Sequence, residues 1–74
     1  MILTPRLCRT ARAGLNWSQA DLAQRCRVSL STIMNFERRV HAPHDSTLAN
    51  VQGVLERAGV QFVSERTLTL PEES

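Results

Sequence analysis

Two helix start signals lie only eleven residues apart, at Ser18 and Ser29, and this spacing is the strongest constraint on the fold. Ser18 and Asp21 form a capping box, in which each side chain accepts a hydrogen bond from the other residue's backbone amide. Trp17 and Leu22 occupy the two apolar positions that flank such a start. Because Ser29 can cap a second helix, the helix that begins at Ser18 must be short.

The two short helices are predicted over about 18–26 and 29–38, with about three residues between them. Their apolar residues recur at helical spacing and form one inward-facing set. This set comprises Leu22, Ala23, Cys26, Val28, Ile33 and Phe36. Two short helices joined by so tight a turn, with a shared apolar set, are typical of a helix-turn-helix.

Two further helices are predicted to flank this pair. Thr4 can cap the first, with Pro5 at its first position, where the missing backbone amide does no harm. The loop after the second short helix is made non-helical by Pro43. Asp45 or Ser46 is then predicted to cap the fourth helix.

Beyond the fourth helix the apolar pattern changes from helical to alternating. Residues 60–63 and 67–70 are predicted to form short strands, with 64–66 as the turn between them. A lone hairpin is only marginally stable in water, so this one must pack on the helices or pair with another chain. The predicted architecture is mainly all-α, with a four- or five-helix domain over 1–59 and a C-terminal β hairpin and tail over 60–74.

The basic residues are all arginines, nine in number. Residues 1–58 contain eight arginines and four acidic residues, a net charge of +4. The last sixteen residues contain one arginine and three glutamates, a net charge of −2. A basic body with an acidic tail favours a polyanion-binding core, and the arginine fork suits phosphate groups and guanine edges. A genomic preference for arginine codons explains the absence of lysine equally well.

The sequence offers little for catalysis or metal binding. The residues nominally able to bind zinc are Cys8, Cys26, His41 and His44. The two cysteines are eighteen positions apart, whereas a zinc finger places them two to four apart, and both fall on inward helix positions. With no nucleophile paired to a base and no glycine-rich phosphate loop, we predict no enzyme, no metal and no cofactor.

Length and hydropathy set the remaining expectations. Seventy-four residues allow one small domain that buries little surface, so support from a second copy is expected. The N-terminus lacks the features of a signal peptide, and no apolar run reaches the roughly 18 residues of a membrane span. We therefore predict a cytoplasmic protein without a membrane partner.

Residues 17–39 have the sequence WSQADLAQRCRVSLSTIMNFERR. They contain the pattern W-S-Q-x-x-L-A-x-x-x-x-V-S-x-x-T-I-x-x-F-E, and the chain from about 4 to 63 thereby resembles the Cro and phage-repressor type (XRE-type) helix-turn-helix regulators. The resemblance implies a lambda-repressor-like domain that binds double-stranded DNA and regulates transcription, as a repressor or autoregulator and as a homodimer on a palindromic operator. The alternative is a module of the antitoxin or anti-activator type, which uses the same fold to bind another protein.

The resemblance also assigns roles to the recognition helix, which enters the major groove of DNA with its N-terminus first. The residues that then reach base edges are Leu30, Ser31 and Asn35, with Met34 at the periphery. Asn35 can pair with adenine through two hydrogen bonds, Leu30 can cover a thymine methyl group, and Ser31 can donate or accept. For Leu30 and Met34 the alternative is ordinary core packing.

Phosphate contacts are expected from polar and basic residues around that helix. The resemblance places them at Gln19, Thr32, Arg38, Arg39 and His44, with His41 as a weaker candidate. The alternative for the loop residues is a solvated cationic surface. Arg12 and Glu37 are expected to form a buried ion pair that fixes the recognition helix. The chain departs from the family at Arg27 and Arg39, where glycine is common and a left-handed backbone costs a side chain about 1 kcal/mol.

Overall fold

The computed structural model describes residues 3–63 and 67–71. Over these residues it contains four helices and one two-stranded antiparallel sheet. In chain order the elements are α1 (Pro5–Gly14), α2 (Gln19–Cys26), α3 (Leu30–Glu37), α4 (Asp45–Arg57), β1 (Gln61–Phe62) and β2 (Leu68–Thr69). The mainly helical fold with a short C-terminal hairpin confirms the predicted fold class. The predicted turn over 64–66 lies outside the described residues.

Side-chain caps start the first three helices as the sequence predicts. Thr4 caps α1, and Ser29 caps α3 by accepting a hydrogen bond from the amide of Thr32 at 3.1 Å. The capping box of α2 is complete, because Ser18 Oγ accepts from the Asp21 amide at 3.0 Å and Asp21 Oδ2 accepts from the Ser18 amide at 2.9 Å. Two helix starts are thereby fixed on either side of a three-residue connection.

The start of α4 differs from the prediction. The helix begins at Asp45 with His44 at the capping position, and no side chain caps it, so the prediction of Asp45 or Ser46 as the cap is wrong. The reason is that the helix starts one residue earlier than a cap at Asp45 would require. Asp45 therefore lies inside the first turn, where its carboxylate faces the positive end of the helix dipole.

The core lies between the four helices and takes apolar residues from each of them. Its buried members are Leu3, Leu7, Cys8, Ala11, Leu22, Ala23, Cys26, Ile33, Phe36, Leu48, Val51, Leu55 and Val60. Both cysteines are free and buried, which confirms that they serve as small core groups. Burial raises the pKa of the Cys26 thiol to about 11 and also raises that of Cys8, so both thiols stay protonated at neutral pH.

The turn between α2 and α3 contains a left-handed residue and is hydrogen-bonded to α4. Arg27 closes α2 in the left-handed region with φ 58°, and Arg39 follows α3 in the same region with φ 61°. These are the two positions where the family commonly has glycine, so the chain accepts the predicted backbone cost at both. Asn50 of α4 donates a hydrogen bond from Nδ2 to the Cys26 carbonyl at 2.8 Å and so ties the turn to α4.

The hairpin packs back on the helices. Gln61 is paired with Thr69, and Phe62 is paired with Leu68, whose side chains pack against the core. Leu70 lies directly against Gly14 at the end of α1, where an added Cβ would collide with its side chain. One of the two predicted alternatives for a marginal hairpin, packing on the helices, is therefore present. Among the described helices, none is long and apolar enough to cross a membrane.

Candidate nucleic-acid interface

Helix α3 separates a buried face from an exposed one. Ile33 and Phe36 enter the core, whereas Ser31 and Asn35 are exposed on the opposite side. Leu30 is 43% exposed at the first position of the helix, which argues against the core-packing alternative for this residue. Exposed polar side chains spaced four residues apart lie on one face of the helix and are accessible to a ligand as large as a DNA duplex.

A groove of about 540 Å³ runs beside the exposed face of α3. Its walls come from three parts of the chain, namely α3, the loop before α4 and the first turn of α4. The lining residues are Ser31, Thr32, Asn35, His41, Ala42, Pro43, His44 and Thr47. The structure therefore brings together five of the predicted contact residues, namely Ser31, Thr32, Asn35, His44 and the weaker candidate His41. Thr47 was missed, because nothing in the local sequence places the first turn of α4 beside α3.

The polar groups of this groove are hydroxyls, one amide and two imidazoles. Thr32 Oγ1 and Ser29 Oγ share a hydrogen bond at 2.8 Å, in which either oxygen can be the donor. Of the eight residues that line the groove, none carries a carboxylate. A groove with donors and no fixed negative charge is compatible with the edges and phosphates of a nucleic acid.

A buried carboxylate holds α3 in place. Glu37 is only 3% exposed, and Arg12 approaches it through two hydrogen bonds of 3.0 Å, from Nε to Oε2 and from Nη2 to Oε1. This geometry is the bidentate fork that arginine forms with carboxylates. Gln19 Nε2 donates to Oε1 at 3.1 Å, and the Cys8 thiol donates to Oε2 at 3.3 Å. Four donor groups from three residues thus converge on one carboxylate.

The network keeps Glu37 ionised. Burial by itself raises the pKa of this carboxyl, but the hydrogen bonds from Arg12, Gln19 and Cys8 outweigh burial and lower the pKa below its ordinary value of 4.5. The hydrogen bond to Glu37 in turn raises the pKa of Arg12. The pair is therefore charged at neutral pH, and the hydrogen bonds from Arg12, Gln19 and Cys8 offset the cost of burying the carboxylate.

Arginines of α1 extend this network to the backbone. Arg12 Nη1 donates to the Trp17 carbonyl at 3.0 Å, just before α2 begins. Arg9 Nη1 donates to the Glu37 carbonyl at 2.6 Å, at the negative end of the α3 dipole. Arg9 was missed by sequence reasoning, although it lies three positions before Arg12 and hence on the same side of α1. Through these bonds α1 fixes both helices of the helix-turn-helix.

The remaining predicted phosphate contacts lie outside the α3 groove. Gln19 is half-buried, and its amide nitrogen donates one of its two hydrogens to Glu37. Arg38 and Arg39 are exposed after the end of α3. Arg39 borders a smaller groove of about 290 Å³, together with His41, which lines both grooves. The structure does not bring Gln19, Arg38 or Arg39 into the α3 groove.

A different face of the molecule carries an aromatic and cationic cluster. The guanidinium carbon of Arg25 lies 4.2 Å from the centre of the Trp17 ring, a cation–π arrangement. Arg57 and Val54 of α4 lie beside this pair in a separate groove of about 340 Å³. Because this groove shares no residue with the α3 groove, Arg57 provides a reference position for testing the contribution of charge to binding.

The helix-turn-helix, together with Arg9, Arg12 and Glu37 of its supporting network, falls within a match to a known family. A helix-turn-helix family model matches residues 9–58, more than half of the chain. The chain belongs to the Cro and phage-repressor type (XRE-type) helix-turn-helix family. Members of this family are DNA-binding regulators and are normally not enzymes. A comparison with curated proteins finds no match.

Proposed function

We propose that this XRE-type chain is a sequence-specific transcriptional regulator, a repressor or autoregulator, that reads the major groove of DNA with the exposed face of α3. The observation that carries the proposal is the groove in which Ser31 and Asn35 of α3 lie beside His44 of the following loop. Base-reading and phosphate-binding chemistry are adjacent there, and the Glu37 network supplies the rigidity that specific recognition needs.

Base recognition is assigned to three exposed residues of α3. Asn35 can form the bidentate pair with the adenine edge, and Ser31, one turn earlier, can donate to or accept from a neighbouring base. Leu30, 43% exposed at the tip of the helix, can contact a thymine methyl group. Each good bidentate pair discriminates against the wrong base by about 1–3 kcal/mol, so Asn35 is the principal determinant of specificity.

Phosphate contacts are assigned to the rim of this surface. Gln19 uses one amide hydrogen to bind Glu37 and has a second for a phosphate oxygen, next to the N-terminus of α2. Thr32 and His44 line the groove itself, and the exposed Arg38 and Arg39 follow α3. Such contacts fix the register of the protein on the duplex without selecting bases.

A homodimer on a palindromic operator is the assembly that we propose. Two half-sites about 34 Å apart, one helical turn of DNA, suit a two-fold symmetric pair of α3 helices. The surfaces available for the contact between copies are α4 and the C-terminal hairpin, where Val63 is 64% exposed. We also propose that the protein, of bacterial or phage type, is cytoplasmic and associated with the nucleoid. The assembly is tested by sedimentation with and without an operator duplex.

The binding function is tested by fluorescence anisotropy with labelled duplexes over a series of salt concentrations. We expect Arg38→Ala to weaken binding to all duplexes similarly. It should also reduce the slope of the logarithm of the binding constant against the logarithm of the salt concentration by about one. Arg57→Ala is the matched control, because it removes the same charge from the separate Trp17 groove and should leave the salt slope unchanged. Absence of duplex binding even at low salt, with a co-purifying protein instead, would favour the protein-interaction alternative.

A further inference from the structure

The two histidines of the chain both line the α3 groove. His41 and His44 are exposed, and they share the groove with Ser31, Thr32 and Asn35. The chain contains two histidines in all, so every imidazole that it has is at this surface. The other residues that line the groove are uncharged at any pH between 5 and 8. Protonation of these two rings therefore sets the charge of the groove.

We propose that DNA binding takes up protons at His41 and His44, so that the affinity for DNA rises as the pH falls from 8 to 6. This inference rests on the proposed function and adds a dependence on acidity to it. Histidine is the side chain whose ordinary titration lies between pH 5 and 8. A phosphate placed against either ring stabilises the imidazolium form, and the protonated ring adds a charge-assisted hydrogen bond to the complex.

Two arginines and one aspartate are the charged neighbours of the histidines in the smaller groove or along the chain. Arg39 borders His41 in the smaller groove, and Arg38 precedes it in sequence. Asp45 follows His44 in the first turn of α4. Arginine and aspartate side chains ordinarily titrate far from pH 6–8. The N-terminal amine, which ordinarily titrates near pH 7.7–8.0, is the other group to be controlled for.

The expected size of the effect follows from proton linkage. Binding that takes up one proton strengthens by up to about tenfold for each pH unit, and the gain levels off once the free ring is itself protonated. For two histidines we expect a Kd about 5–40-fold lower at pH 6 than at pH 8. Phosphates are present in every sequence, so operator and random duplexes should show the same trend.

The experiment measures Kd for a labelled duplex at pH 6, 7 and 8 at constant ionic strength. We expect the wild-type Kd to fall at least fivefold, the single variants His41→Gln and His44→Gln to show a smaller change, and the double variant to show a change of less than twofold. The double variant retains the N-terminal amine and so controls for it. Arg57→Ala, on the separate face, should keep the full pH dependence of the wild type.

A second measurement does not depend on the variants. The imidazole carbon and proton signals of both histidines are followed by NMR as a function of pH, with and without duplex, and both rings should hold their proton to higher pH in the complex. A wild-type Kd that changes less than twofold, or a double variant that keeps the wild-type dependence, would overturn the inference while leaving DNA binding intact. Absence of duplex binding at every pH would overturn the proposed function, and this inference with it.

Discussion

Replacing Glu37 by alanine removes the acceptor on which the α3 support network converges. The guanidinium of Arg12 loses both carboxylate oxygens that it binds, and Gln19 and Cys8 each lose their hydrogen-bond acceptor. The Arg12 side chain is 20% exposed, so water reaches part of the guanidinium but cannot replace the whole of the lost pair. Arg12 also remains bonded to the Trp17 carbonyl, which holds the charge in place instead of releasing it to solvent.

The magnitude follows from the partial burial of the stranded charge. Breaking a buried ion pair by removing one partner costs about 3–5 kcal/mol, and the exposure of Arg12 places Glu37→Ala near the lower end of this range. A chain of 74 residues has a free energy of unfolding of about 4–11 kcal/mol at typical stability per residue. A loss of about 3 kcal/mol therefore removes between about a quarter and three quarters of the stability of this domain.

The assay is urea denaturation followed by far-UV circular dichroism and by the fluorescence of Trp17, the single tryptophan. Glu56→Ala is the matched control, because it removes an exposed glutamate of α4 and should change stability by about 0.5 kcal/mol or less. The double variant Arg12→Met/Glu37→Met should be more stable than Glu37→Ala, since it strands no charge. A Glu37→Ala protein destabilised by less than 1 kcal/mol, with altered base preference, would refute this reasoning.

Three further predictions concern folding. The pKa of Glu37 is lower in the folded protein than its ordinary 4.5. Its contribution to stability should therefore be fully present above pH 4.5 and be lost as the pH falls through the lower, folded-state pKa. Urea midpoints measured between pH 7 and 3 should show this decline, and Glu37→Ala should lack part of it. The backbone of Arg27 is left-handed, so Arg27→Gly should leave the thermal midpoint unchanged or raise it. Arg27→Val should lower the free energy of unfolding by about 1–3 kcal/mol. Equal thermal midpoints for the two variants would contradict the prediction. Asn50→Ala should cost about 1 kcal/mol by leaving the Cys26 carbonyl without its donor, measured by urea denaturation, and Asn50→Asp should cost more, because two oxygens then face each other.

Local signals account for the part of the fold that the sequence predicts well. The caps at Ser18 and Ser29 act within three residues of the backbone groups they bind, so their positions can be recognised without knowledge of the tertiary structure. The exposure of Leu30 agrees with its position in the family motif. The start of α4 was misjudged because Asp45 and Ser46 are both good caps, and the local sequence does not decide which residue enters the helix first.

Contacts between distant residues account for what the sequence did not reveal. The bond from Asn50 to the Cys26 carbonyl joins residues 24 positions apart, and the bond from Arg9 to the Glu37 carbonyl joins residues 28 apart. Each depends on how the helices pack, and a backbone carbonyl leaves no trace in the sequence as an acceptor. The position of His41 beside α3 likewise depends on the conformation of the loop before α4.

The central claim is that α3 reads a specific DNA sequence through Ser31 and Asn35. The most direct measurement is sequencing of duplexes selected from a random pool by the wild-type protein and, in parallel, by Asn35→Ala. The account predicts that the wild type enriches one motif, in two symmetric halves, and that Asn35→Ala loses the preference at one position in each half while keeping the rest. No enriched motif, or the same motif with undiminished preference for both proteins, would contradict it.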